Sequence, residues 1–186
     1  MKRIISQIRT GLRDLRRKED GNATIEFAIL FPAFIMIFLS AFESGLLMTR
    51  QVLLDRAVDL TVRDIRLRTW QPGPPPTHNQ LRQQICDRTG IIPDCMNSLL
   101  IEMRPVDRTT WTPLDTNATC IDKSQPVAPQ MPPNYNAGSD DDLMLLRACA
   151  VFDPIFPMSD LGLKLARANT GDYALVATSI FVNEPS

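Results

Sequence analysis

The chain has 186 residues, of which 22% are charged, with 20 basic side chains against 21 acidic ones. That length suits one domain of ordinary size plus an anchor, and the near balance of charge excludes a chain that is basic throughout and built for nucleic acid. Zinc-hydrolase and serine-triad sites are hard to build from a single histidine, His78.

The first segment carries most of the charge asymmetry. Residues 1–20 hold seven of the basic groups (Lys2, Arg3, Arg9, Arg13, Arg16, Arg17 and Lys18) and three of the acidic ones, which leaves 13 basic against 18 acidic groups beyond. A short basic stretch directly before an apolar run keeps its own end on the cytoplasmic side of a membrane while the chain beyond crosses. The run begins at Phe27 and is uncharged to Phe42; Glu43, Ser44 and Gly45 interrupt it, and Leu46, Leu47 and Met48 resume it. As a helix, residues 27–48 would span roughly 33 Å, against a hydrocarbon core of about 30 Å. The stretch is apolar all round, where a soluble helix would show a polar face, so a membrane-spanning helix is expected over 22–48. Glu43 is read as the outer membrane boundary. Pro32 predicts a mild kink, tolerated in a membrane helix.

A cleaved secretory signal would end in a break, but helical character continues. Val52, Leu53, Leu54, Ala57, Val58, Thr61, Val62 and Ile65 recur at about the helical period, with charged residues largely around the rest. The spacing predicts one helix over about 24–68, amphipathic in its second half, and a helical extension assigned to 49–70. "QPGPPPTHN" (71–79) ends it. Residues 71–186 then read as an exported domain. They contain a short helix in "NQLRQQICDRTG" with Gly90 as C-cap, a strand at 98–106, and a long irregular segment. Further strands are expected at 143–152 and within "DYALVATSIFVNE", and a short helix capped by Ser159 in "MSDLGLKLARA". His78 is placed in an exposed loop. The fold class expected is α+β, a long helix packed on a small antiparallel sheet.

Cys86, Cys95, Cys120 and Cys149 all lie beyond the apolar run, as suits two disulfides in an oxidising compartment. Three pairings are open; Cys86–Cys95 with Cys120–Cys149 is preferred because it closes local loops. Zinc is the alternative, but 8, 24 and 28 intervening residues lack the close pairs of metal knuckles. "GSDDD" (138–142) with Asn134 and Asn136 offers hard oxygen donors for calcium but fits no EF-hand spacing, and a solvated acidic loop is the simpler reading. No metal, cofactor or catalytic residue is assigned, and the chain is not read as an enzyme. Carboxylates at Asp140, Asp141, Asp142 and Asp153 leave a tethered enzyme as a minor alternative whose geometry the sequence does not fix.

"GNATIEFAILFPAFIMIFLSAFESG" resembles the N-terminal segment of the TadE-like proteins, the minor pilins or pseudopilins of the tight-adherence (Tad/Flp) type IV pilus system. The resemblance is close over about residues 19–48. The ending "ATSIFVNEP" also looks like the family's closing strand. In that family a basic leader ends in glycine, a prepilin peptidase cuts after it, and glutamate is the fifth mature residue, followed by an aromatic. The resemblance implies a leader 1–21, a cut between Gly21 and Asn22, and an assembly contact at Glu26 and Phe27, in a pilin-like fold. The first mature residue is Asn22, where the best-known type IV pilins have phenylalanine. The implied partners are other pilin and pseudopilin subunits, the prepilin peptidase, the inner-membrane assembly platform and the lipid bilayer. The chain would sit in the inner membrane with its C-terminal domain in the periplasm or incorporated in a pilus. An uncleaved single-pass periplasmic scaffold or sensor shares this topology and is the alternative.

Overall fold

The computed structural model describes residues 22–67, 75–110, 115, 117–123, 135–156 and 172–184. In chain order they form α1 (Asn22–Arg66), α2 (His78–Thr89), α3 (Cys95–Ser98), β1 (Leu99–Pro105), β2 (Leu143–Phe152) and β3 (Tyr173–Val182). The architecture is α+β, as expected. The helix expected at 158–168, with its cap at Ser159, lies outside the described residues, as do Asn134 and the leader. Two compact units divide the chain after Phe42.

The described part of the first unit is the apolar beginning of α1. Phe27, Ile29, Leu30, Phe34, Ile37 and Phe38 are each more than half exposed, and no residue of 23–42 is buried. Pro32 sits inside the helix without ending it. Ser40 donates its hydroxyl to the Met36 carbonyl four residues back, at 2.9 Å, which satisfies the one hydroxyl in an otherwise apolar stretch.

The second unit begins with the amphipathic part of α1. Leu47, Leu54, Ala57, Val58 and Val62 are buried at helical spacing, and Thr61 is buried with its hydroxyl donated to the Ala57 carbonyl. Val52, grouped with this face on spacing, is 63% exposed. It lies about 200° around the helix from Leu54, and so on the opposite side. Thr77 and Gln80 form a reciprocal capping box that starts α2, and Gly90 ends it at φ 63°, a left-handed position suited to glycine.

The sheet is antiparallel in the order β1-β2-β3, so β2 is central. One face carries Leu99, Ile101 and Met103 of β1, Met144, Leu146, Ala148 and Ala150 of β2, and Ala177 and Phe181 of β3. These join Leu54, Val58 and Val62 of α1 and Leu81 and Ile85 of α2 in one core. The opposite face holds a cross-strand pair, Glu102 and Arg147, and is overlaid by Asp115, Thr119 and Cys120. That is why β2 is buried on both faces rather than alternating.

Contacts along α1 fix its direction on the sheet. Leu47 packs with Phe152 and Tyr173, Gln51 donates to the Val176 carbonyl at 3.0 Å, and Arg66 pairs with Glu184 at 3.4 Å. The second half of α1 therefore runs in the same sense as β3, with the Phe152–Tyr173 end of the sheet nearest residue 43.

Candidate functional site

The residues singled out for processing and assembly lie at the start of α1. Gly21 is outside the described residues. Asn22 is the first residue of the helix. Glu26 is exposed on its second turn and has no hydrogen bond or ion pair among the described residues. Phe27 and Phe31, one turn apart, stack with ring centroids 5.0 Å apart, and both remain exposed. The result is one carboxylate on an apolar cylinder that shows no face turned toward a core. An ionised carboxylate placed in hydrocarbon is costly and gains from any cationic partner that reaches it. Among the described residues this is the one helix long and apolar enough to cross a membrane.

Glu43, read from the sequence as the outer membrane boundary, also has partners far along the chain. It is 2% exposed, and its Oε1 accepts the backbone N–H groups of Ile155 at 3.0 Å and Phe156 at 3.2 Å. Two N–H donors on one carboxylate oxygen are what a buried anion requires. One and two turns on, Leu47 packs on Phe152 and the Arg50 guanidinium lies 4.6 Å from the centre of the Phe152 ring. Burial pushes the Arg50 pKa down, against the opposing attraction of Glu43. Glu43, Leu47 and Arg50 thus carry the turn that follows β2. The sequence shows no signal for this, because the partners of Glu43 are backbone groups 112 and 113 residues away.

The cysteines are joined as Cys86–Cys95 and Cys120–Cys149. The first ties the end of α2 to α3; the second ties the segment over the outer face of the sheet to β2. All four are committed, and none is free.

His78 is not in an exposed loop. It is the first residue of α2 and 4% exposed. Its Nε2 accepts the Ile101 N–H at 3.3 Å, and its ring meets Tyr135 edge-on at 5.5 Å. Tyr135 in turn donates its hydroxyl to the Pro76 carbonyl. The signal that could have found this is the Thr77-x-x-Gln80 capping box, which starts a helix at His78. The acidic cluster at 138–142 turns on itself. Asn136 Oδ1 accepts from Gly138 N at 2.9 Å and Asp142 Oδ2 from Ser139 N at 2.7 Å. Asn183 donates its side-chain amide to the Ala137 and Ser139 carbonyls. These oxygens are spent on shaping the turn, and among the described residues no group of acidic, histidine or cysteine side chains is arranged to hold a metal. Gly138 has φ 70°, a left-handed position that favours glycine, and a Cβ there would fall 2.4 Å from the Met144 sulfur and make that side chain shift.

Residues 21–63 match the family model of the TadE-like proteins. The matched segment runs from Gly21 through Glu26 and the apolar stretch into the part of α1 that packs on the sheet. No curated protein and no solved structure matches the chain.

Proposed function

We propose, from the premise that residues 21–63 are those of a TadE-like protein, that this chain is a minor pilin or pseudopilin of a Tad-type pilus. In this reading a prepilin peptidase cuts after Gly21 on the cytoplasmic face. Removal of the basic leader leaves an α-amino group on Asn22. The apolar part of α1 holds the chain in the inner membrane and the α+β domain faces the periplasm. The observation that carries the reading is Glu26, an exposed carboxylate at the head of the apolar run, five residues past the matched glycine. The new α-amino group of a neighbouring subunit is the cation that offsets its cost in lipid. A neighbour docked one turn out of place leaves both charges in hydrocarbon, so the pair selects register as well as affinity. The chain would prime, nucleate or cap the filament with the other pilins, on the assembly platform of the inner membrane.

The test is the intact mass and N-terminal sequence of the membrane-extracted protein, made with and without the peptidase. A chain that starts at Asn22 only when the peptidase is present supports the proposal. A chain that still starts at Met1 beside an active peptidase overturns it and leaves the uncleaved periplasmic scaffold. Glu26→Gln should then be cut normally but should no longer co-purify with the other pilin subunits. Normal co-purification would remove Glu26 from the assembly contact.

A further inference from the structure

The chain beyond β2 descends along α1. Phe152 meets Arg50 and Leu47, and three and four residues later Ile155 and Phe156 are held by Glu43. From Arg50 to Glu43 is seven residues, about 10 Å along a helix. The direction is toward the N-terminal end of the helix, and the residue before Glu43 is Phe42, the last of the uncharged run. The turn is therefore anchored to the residue that directly follows the uncharged run, which is the level of the bilayer surface when that run spans the membrane.

Its composition suits that level. Pro154, Ile155 and Phe156 carry no charge, and Ile155 is 46% exposed although its backbone is fixed. Met48, just over one turn past Glu43, is 67% exposed. Asp153, at the start of the turn, pairs with Lys123 at 3.3 Å. Arg50 keeps its cation over the Phe152 ring. An apolar tip with cations set back from it is the pattern of segments that sit at a lipid–water boundary, where arginine and lysine reach the headgroups and apolar side chains enter the acyl margin.

We propose that the 153–156 turn is a second membrane contact, in which Ile155 enters the outer surface of the phospholipid bilayer that α1 crosses and Glu43 is the positioning residue that holds it there. This rests on the reading of the apolar part of α1 as a membrane span. The contact would fix the rotation of the exported domain about the helix axis, so that the same face always meets an arriving subunit. One helix alone leaves that rotation free.

Because all four native cysteines are bridged, Ile155→Cys offers a single reactive thiol for a spin label. The full chain is reconstituted at one copy per phosphatidylcholine nanodisc. Collision with oxygen, which concentrates in lipid, is compared with collision with a nickel chelate, which stays in water. Leu30→Cys and Gln83→Cys serve as references for the span and for the exposed surface of α2. The proposal expects position 155 to fall between the two references, shifted toward oxygen. It further expects Glu43→Ala to move the label to the value at 83, and Glu43→Gln, which keeps an acceptor for the two N–H groups, to restore the shift. A label at 155 that reads as water while position 30 reads as lipid overturns the contact and leaves the anchor standing. A label at 30 that reads as water overturns both. Protection at 155 that needs several copies per disc assigns the turn to a second copy and overturns the lipid contact. An unchanged reading in Glu43→Ala overturns the role given to Glu43.

Discussion

At the scale of the residue, His78 is the group whose protonation the fold opposes. Burial pushes its pKa below the usual 6.5, and the nearby Arg82 cation lowers it further, against a smaller opposing hydrogen bond with Asn79. The geometry agrees, since a protonated Nε2 has no lone pair for the Ile101 N–H. Below 6.5 the unfolded chain takes up a proton that the folded chain does not. Stability is therefore full above that pH and is lost as pH falls below it. The unfolding midpoint of the full chain in detergent should drop between about pH 7 and 5. In His78→Gln, which retains an acceptor, the part of that slope due to the imidazole should vanish. His78→Phe should cost about 1–3 kcal/mol at neutral pH, because it buries the Ile101 N–H without a partner. An equal slope in wild type and His78→Gln would show that other groups set the acid sensitivity.

At the scale of the element, the sheet is stabilised on two unlike faces. Toward α1 and α2 it is apolar. On the other face Glu102 and Arg147 pair at 2.8 Å with both side chains under a tenth exposed. Arg147 also donates to the Asp115 carbonyl at 2.7 Å, and Glu102 accepts from the Thr119 N–H at 3.2 Å and from its hydroxyl. Removing one charge, as in Arg147→Met, should cost about 3–5 kcal/mol, whereas replacing both by apolar residues of similar volume should cost far less. Denaturant midpoints of the two single variants and the double variant measure this; a double variant as weak as the singles would contradict it. The disulfides act on the same segments through the unfolded state. Their sequence separations are 9 and 29 residues. Loop-closure entropy then predicts losses of about 2.5 kcal/mol for Cys86→Ala with Cys95→Ala and about 3.5 kcal/mol for Cys120→Ala with Cys149→Ala. Denaturant unfolding of the two double variants gives the comparison, and a larger loss from the shorter loop would count against the entropic origin. All three strands were legible in the sequence to within two residues, because each combines an apolar run with clear turn chemistry. The long helix was legible from its period, and α2 from Gly90 as its C-cap. The one-turn α3 and the burial of His78 and Glu43 were not, since they depend on partners distant in the chain. Nor does local composition predict that a loop covers the second face of β2, which needs Cys120, Thr119 and Asp115 brought over from beyond β1.

At the scale of the whole molecule, the apolar beginning of α1 and the α+β domain divide the work. Both apolar clusters of the described residues draw on residues from Leu47 onward, and no residue of 23–42 is buried. The folded domain therefore does not need the apolar span for its core, although it does need the second half of the same helix, which supplies Leu54, Ala57, Val58 and Val62. A chain of residues 41–186, made in an oxidising compartment, should be water-soluble, form both disulfides and unfold at the same denaturant midpoint as the full chain in mild detergent. A chain of residues 60–186 should fail to fold. It loses the packing of Leu54 and Val58, and truncating even one such buried aliphatic side chain typically costs about 2–5 kcal/mol against a total domain stability of about 5–15 kcal/mol. Near-ultraviolet circular dichroism and thiol counting on the two fragments decide the matter. If 41–186 aggregated with free thiols, the span itself would be needed for folding. If 60–186 folded, the second half of α1 would be a linker that the domain does not need.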